Sequence, residues 1–282
     1  MNGILLINKP KGCTSRDVIN DLVHLFHTKK IGHTGTLDPL ATGVMVICIG
    51  NHTKLVDLLT STTKEYIAKI RLGMKTDTGD ITGTIVQKEE VNITKDRVEE
   101  VLYSFLGEST QTVPIYSAVK VNGKKLYQYA RRHEEVELPT RKIIIEEMEL
   151  LSCNENEIVF RTVVSKGTYI RSLIEDICTK LGTIGTMEEL TRTKQGNFLL
   201  EDCSTLEEVK DNKFKLFTKE EVLSTMESIE VDEELYPKIT NGAIIAKMFK
   251  KELCAMKYQG QILAIYQVYH KDSALAKPYK MF

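Results

Sequence analysis

Residues 31–50 read IGHTGTLDPLATGVMVICIG. One carboxylate, Asp38, sits in a loop rich in glycine and hydroxyl residues, just ahead of the apolar run Val44–Ile49. That run reads as a strand buried on both faces. The loop therefore holds a charged side chain beside a low-dielectric core, a placement that tunes ionisable groups for chemistry. Gly32, Gly35 and Gly43 are expected to supply backbone conformations closed to other residues, and Pro39 to fix the turn after the acid. An aspartate before proline also caps turns through its own backbone. On these residues alone, the catalytic and the turn-capping readings stand level.

Before this stretch, Gly3–Ile7 reads as a strand. NKPKGCTS (residues 8–15) reads as a turn ending in the N-cap of a helix that carries Val18, Leu22 and Phe26. After it, Thr53–Leu59 has a helical pattern. Lys64–Leu72 alternates as a half-buried strand with Tyr66, Ala68, Ile70 and Leu72 on one face. Thr94–Leu106 is an amphipathic helix capped by Thr94. Arg141–Leu151 and Glu157–Ser165 read as paired strands, and Gly185–Phe198 as one more. Val113–Arg132 gathers Lys120, Lys124, Lys125, Arg131 and Arg132 among Tyr116, Tyr127 and Tyr129. That mixture suits RNA, whose phosphates meet cations and whose splayed bases meet rings; it also suits an ordinary charged helix face. From 201 to 234 acids accumulate, which predicts a solvated helical connector that repels phosphate. Residues 236–282 return to strand-like alternation.

GHTGTLDPLATG resembles the catalytic motif of the TruB family of pseudouridine synthases. Three further stretches resemble that family's motifs in the family's order: NKPKGCTS, KEYIAKIRLGMKTDTGD and GTYIRSL (residues 167–173). The likeness covers residues 1 to about 200, and the remainder more loosely. It implies an α+β fold, a mixed and mainly antiparallel sheet with flanking helices, followed by a small PUA-like β domain. The implied boundaries are 1–230 for the catalytic domain, with an RNA-binding insertion at about 107–142 and the acidic connector at 201–234, and 231–282 for the C-terminal domain. It also implies isomerisation of the T-loop uridine, tRNA position 55, by an aspartate nucleophile after base flipping. Asp38 is then the nucleophile, and Tyr66 and Tyr169 contact the uracil. Arg171 grips the catalytic carboxylate, as a guanidinium does through two hydrogen bonds; without the family match it would read as a surface ion pair of little energy. Lys9 braces the site, His33 helps to replace the flipped base in the loop stack, Asp80 lies near the cleft, and Lys120 belongs to the insertion that closes over RNA. Val113 departs from the family by standing where a second proline is usual.

Composition bounds the alternatives. The chain has 282 residues, 42% of them hydrophobic, enough for a large domain plus a small one. A net charge of -1 gives no global sign of nucleic acid, so RNA needs a local basic face. The six cysteines form no CxxC pair and have no histidine partner at ligand spacing, and His24 and His27 lack a third ligand. No metal, cofactor or triphosphate loop is expected. The single DTG at Asp77–Gly79 falls short of the two loops an aspartic protease needs. Without a leader or an apolar run of the roughly 20 residues that span a bilayer, a cytoplasmic protein is expected; the resemblance implies a monomer acting on the tRNA T arm. A tRNA-folding protein with secondary catalysis, or a guide-RNA-dependent relative, are the alternatives.

Overall fold

The computed structural model describes residues 1–282. Its main sheet has ten strands: β1 (Gly3–Lys9), β2 (Ile31–His33), β3 (Thr42–Ile49), β4 (Lys64–Leu72), β5 (Gly107–Thr112), β6 (Thr140–Cys153), β7 (Glu157–Val164), β8 (Gly185–Gln195), β9 (Phe198–Leu199) and β10 (Leu216–Phe217). They run in the order β10-β1-β3-β8-β4-β7-β6-β5, with β2 beside β3 and β9 beside β8. All pairs are antiparallel except β3 with β8, which meet through Thr42 opposite Thr191 and Gly43 opposite Arg192. Helices α1 (Ser15–Leu25), α2 (Lys95–Tyr103) and α3 (Ile170–Leu181) pack on this sheet. No helix is long and apolar enough to cross a membrane.

The expectation for β3 holds in detail. Met45, Ile47 and Ile49 pack with Val18, Ile19 and Leu22 of α1, while Val44, Val46 and Cys48 pack on the opposite face. Its continuous apolar sequence follows from burial on both sides. β4 shows the other pattern, burying Tyr66, Ala68, Ile70 and Leu72 against α2 and α3. Its outward residues Glu65, Lys69 and Arg71 join ion pairs with Arg161, Glu157 and Glu188.

Three local expectations are corrected. Helix α1 is capped by Thr14 in a reciprocal capping box with Asp17, not by Ser15; Ser15 is buried inside the first turn. Of the three glycines around Asp38, only Gly43 has a left-handed backbone, with φ +105, and a Cβ there would lie 2.2 Å from the Arg192 carbonyl oxygen. Gly32 and Gly35 are needed for space, since a Cβ would press on Val56 at 3.0 Å and on the Arg192 guanidinium at 3.1 Å. Third, the acidic stretch is not a solvated helix. It contains single-turn helices at Leu206–Lys210 and Lys219–Val222 and the edge strand β10, with Leu206, Val209 and Leu223 buried. Three of its acids are used locally: Glu208 and Glu221 close capping boxes, and Glu220 accepts from the Ile262 N–H.

A second sheet follows, in the order β11-β13-β14-β15-β12, from β11 (Ser228–Glu230), β12 (Ile245–Ala246), β13 (Leu253–Tyr258), β14 (Gln261–Val268) and β15 (Leu275–Met281). One face encloses its own core around Tyr266 and Met256. Ala255, Ile262 and Ile265 instead share a core with Ile4, Leu6, Val44 and Val46 of the main sheet. The small β domain is thereby part of the cover over β1 and β3.

Candidate active site

The parallel seam between β3 and β8 fixes where the Asp38 loop can lie, and buried side chains then fix its shape. Lys9 is fully buried, and its Nζ donates to the carbonyls of Ala41 at 2.7 Å and Pro10 at 2.9 Å, with Pro39 at 3.4 Å. The Ser15 hydroxyl donates to the Leu37 carbonyl at 3.0 Å and accepts the Leu37 N–H at 2.8 Å. Arg192, 1% exposed, donates from Nε to the Val44 carbonyl and from Nη2 to the Gly35 carbonyl. Leu37, Leu40 and Ala41 are anchored in the core. A loop held at so many points keeps its carboxylate in one orientation at no further cost when substrate arrives.

Arg171, in the first turn of α3, completes that orientation. Its Nε lies 2.8 Å from Asp38 Oδ2 and its Nη2 3.2 Å from Oδ1, a two-point grip. The same guanidinium donates to the Thr78 carbonyl at 3.1 Å and the Tyr116 carbonyl at 2.9 Å. Arg171 is 6% exposed, while Asp38 keeps 33% of its side chain open. The carboxylate is thus held from behind and free in front.

In front of it is a cavity of 380 Å³ that Tyr66, Tyr169, Lys64, Arg192 and Tyr116 line together with Asp38 and Arg171. Four tyrosines, Tyr66, Tyr116, Tyr127 and Tyr169, line a space of nucleotide size with a carboxylate at its edge. Three cations against one carboxylate give the cavity a positive balance despite the chain's net charge of -1. Burial, aided by the Arg192 and Lys166 charges, pulls the Lys64 ammonium down to about 8; its Nζ donates to the Thr60 and Thr62 carbonyls. An adjoining cavity of 220 Å³ shares Arg171 and Tyr116, but Asp38, Tyr66 and Tyr169 are not in its wall. No three His, Cys, Asp or Glu side chains converge as a metal-binding group.

The structure thus gathers Asp38, Tyr66, Tyr169 and Arg171 around one space, but not the other expected residues. Buried Lys9 reaches the loop from below, so it can influence RNA only through the loop. His33 is half-buried on β2, one residue outside the cavity wall, and burial with the Arg192 charge lowers its pKa. The Asp80 carboxylate is spent within its own turn on Thr78 and the Thr82 N–H and hydroxyl. It steadies the segment whose Thr78 carbonyl receives Arg171. Lys120 is exposed on a two-residue strand away from the cavity. Within the insertion, Lys124 lies over Tyr129 at 4.4 Å and Lys125 over Tyr127 at 5.6 Å, so part of the basic-aromatic pattern is internal packing. Val113 is buried and its N–H donates to the Pro139 carbonyl at 2.9 Å, closing the neck of the insertion with a bond a proline there would lack. Sequence reading missed the functional burial of Lys64, Ser15 and Gln111.

The chain is similar to known proteins along its whole length. A model described as TruB family pseudouridylate synthase (N terminal domain) matches residues 23–170, and one described as tRNA pseudouridylate synthase B C-terminal domain matches residues 171–231. Two proteins called tRNA pseudouridine synthase B, from Oceanobacillus iheyensis and Bacillus cytotoxicus, are 44% and 41% identical to the chain. Each alignment covers 100% of the chain, and 98% and 97% of the respective relative. Among solved structures, an H/ACA RNP bound to a substrate RNA containing 2'-deoxyuridine superposes with a TM-score of 0.75 at 22% identity, covering 99% of this chain and 84% of its own. An archaeal box H/ACA sRNP Nop10-Cbf5 complex gives 0.72 at 22% identity, covering 99% and 85%. At that identity the two structures speak to the fold alone.

Proposed function

Since the chain belongs to the TruB family and is a tRNA pseudouridine synthase, we propose that it acts on the T-loop uridine at position 55, with Asp38 as the nucleophile. The observation that carries this reading is the two-point grip of Arg171 on Asp38 at the edge of a cavity faced by Tyr66 and Tyr169.

The uridine flips out of the loop, at a cost of a few kcal/mol that contacts inside the cavity offset. The Asp38 carboxylate attacks C1′, and the electron pair of the C1′–N1 bond leaves with the uracil. The detached base turns between the two tyrosines and presents C5. Attack of C5 on C1′ returns the carboxylate to Asp38. C5 then loses its proton and N1 gains one, so the isomerisation consumes no redox carrier and no net proton. Tyr66, only 7% exposed at the cavity wall, both stacks on the base and takes part in moving the C5 proton. The insertion covers the T arm, residues 231–282 grip the tRNA beyond it, and residues 1–230 carry the chemistry. A single chain supplies every group named here, which supports action as a monomer.

Incubation of transcribed tRNA with the purified protein, followed by site-resolved pseudouridine detection, tests the reading. Product at the T-loop uridine is expected; no product there, or product only at another uridine, refutes it.

A further inference from the structure

β5 leads into the insertion and β6 leads out of it, and in their ladder Gln111 stands opposite Arg141. Both side chains reach the same neighbour. The Gln111 Nε2 donates to the Tyr169 carbonyl at 3.0 Å, and the Tyr169 N–H donates to Gln111 Oε1 at 2.8 Å. Gln111 is 2% exposed, so neither bond competes with water. Tyr169 occupies the N-cap position of α3, where it makes no side-chain cap of its own. From the other side, the Arg141 guanidinium lies 5.2 Å from the centre of the Tyr169 ring, and its Nη1 donates to the Gly167 carbonyl at 3.1 Å. Gly167 has φ +84, and a Cβ there would come within 2.7 Å of that Nη1. Two further bonds join the insertion to α3: Ser172 Oγ to the Thr112 carbonyl and Arg171 Nη2 to the Tyr116 carbonyl.

We propose that Gln111 and Arg141 are positioning residues that set Tyr169 against the target base, making the base pocket depend on the docked insertion. This rests on the reading of Tyr169 as a base contact. Neither residue touches the reacting atoms. A polar glutamine on an otherwise exposed strand, GESTQT, is buried only because it holds the backbone on both sides of the Tyr169 Cα, while Arg141 holds the ring. RNA engaging the exposed part of the insertion pulls on the two strands that carry this clamp.

Single-turnover rates at saturating enzyme, with tRNA affinity measured in parallel, test the inference. Gln111→Leu keeps the volume and removes both bonds, so the rate is expected to fall about tenfold or more with the dissociation constant within about threefold. Gln111→Glu keeps the acceptor for the Tyr169 N–H but, when ionised, has no donor for the carbonyl; its rate relative to wild type should recover as pH falls and the carboxyl regains a proton. That recovery decides the matter even if the leucine variant folds poorly. In a Tyr169→Ala background, Gln111→Leu should cost less than about twofold more, because the ring it positions is gone. A Gln111→Leu rate within about twofold of wild type, a flat relative pH profile for Gln111→Glu, or equal losses in both backgrounds would overturn the proposal. If Tyr169→Ala itself turned over at the wild-type rate, the base-contact reading would fall, and the clamp with it.

Discussion

Arg171→Lys is the most informative single change, because lysine keeps the charge and discards the fork. The arginine makes four hydrogen bonds: two to the Asp38 carboxylate and one each to the Thr78 and Tyr116 carbonyls. A lysine ammonium is one point on a longer, flexible stem and cannot meet both carboxylate oxygens and both carbonyls at once. One charge-assisted bond to Asp38 is therefore lost, worth about 1.5–3 kcal/mol in a site this shielded. If that bond orients the nucleophile, the same energy appears in the barrier, and at about 1.4 kcal/mol per tenfold the rate falls roughly 10- to 150-fold. Leaving one carbonyl unpaired costs the fold about 1–3 kcal/mol as well. Release of tritium from C5-labelled uridine in tRNA, measured in a single turnover beside a thermal melt, separates the two effects. A variant that melts lower but turns over within about threefold of wild type would refute the orienting role of Arg171.

Three further outcomes follow from the same geometry. Tyr66→Phe keeps a stacking surface worth about 1–3 kcal/mol per base and should bind tRNA like wild type while turning over far more slowly; Tyr66→Leu should also bind less well, and a fast phenylalanine variant would reduce Tyr66 to a platform. Lys9→Met strands the Pro10 and Ala41 carbonyls of a fully buried bracket, so it should lower the melting temperature and turnover but leave tRNA affinity within about threefold; a selective loss of affinity would contradict the bracing role. Lys64 titrates at about 8 in the folded protein against an ordinary 10.5, so the unfolded chain binds more protons between those values. Urea denaturation should therefore find wild type gaining stability relative to Lys64→Met as pH rises from about 8 to about 10.5, with no relative change below that window; parallel curves would contradict the burial of its charge.

What the sequence disclosed was the part written in contiguous residues. The Asp38 loop, the two-faced apolar run of β3 and the alternation of β4 follow from local pattern, whereas Asp38 and Tyr66 stood out as site residues only through the family motifs that surround them. Tyr169 and Arg171 were legible through the GTYIRSL motif. The supports of the site were not, because each contact joins distant residues: Ser15 reaches Leu37, Gln111 reaches Tyr169, and Arg192 reaches Gly35. A glutamine in a polar strand carries no periodic mark of such a bond. The acidic connector was misread for a related reason. Paired glutamates resemble a solvated helix, whereas here Glu208 and Glu221 cap the starts of single helical turns and Glu220 receives the Ile262 N–H of the C-terminal sheet. Lys9 and Asp80 were singled out by the resemblance, yet neither lines the cavity: Lys9 is turned toward loop carbonyls and Asp80 into its own turn.

The central claim is that the Asp38 carboxylate performs the chemistry on the T-loop uridine, and Asp38→Asn tests it most directly. The amide preserves the shape of the side chain and loses its nucleophilic charge. With saturating enzyme and transcribed tRNA, site-resolved pseudouridine formation in a single turnover is expected to fall by about a thousandfold or more, while tRNA affinity stays within about threefold. Product formation within about tenfold of wild type would contradict the account.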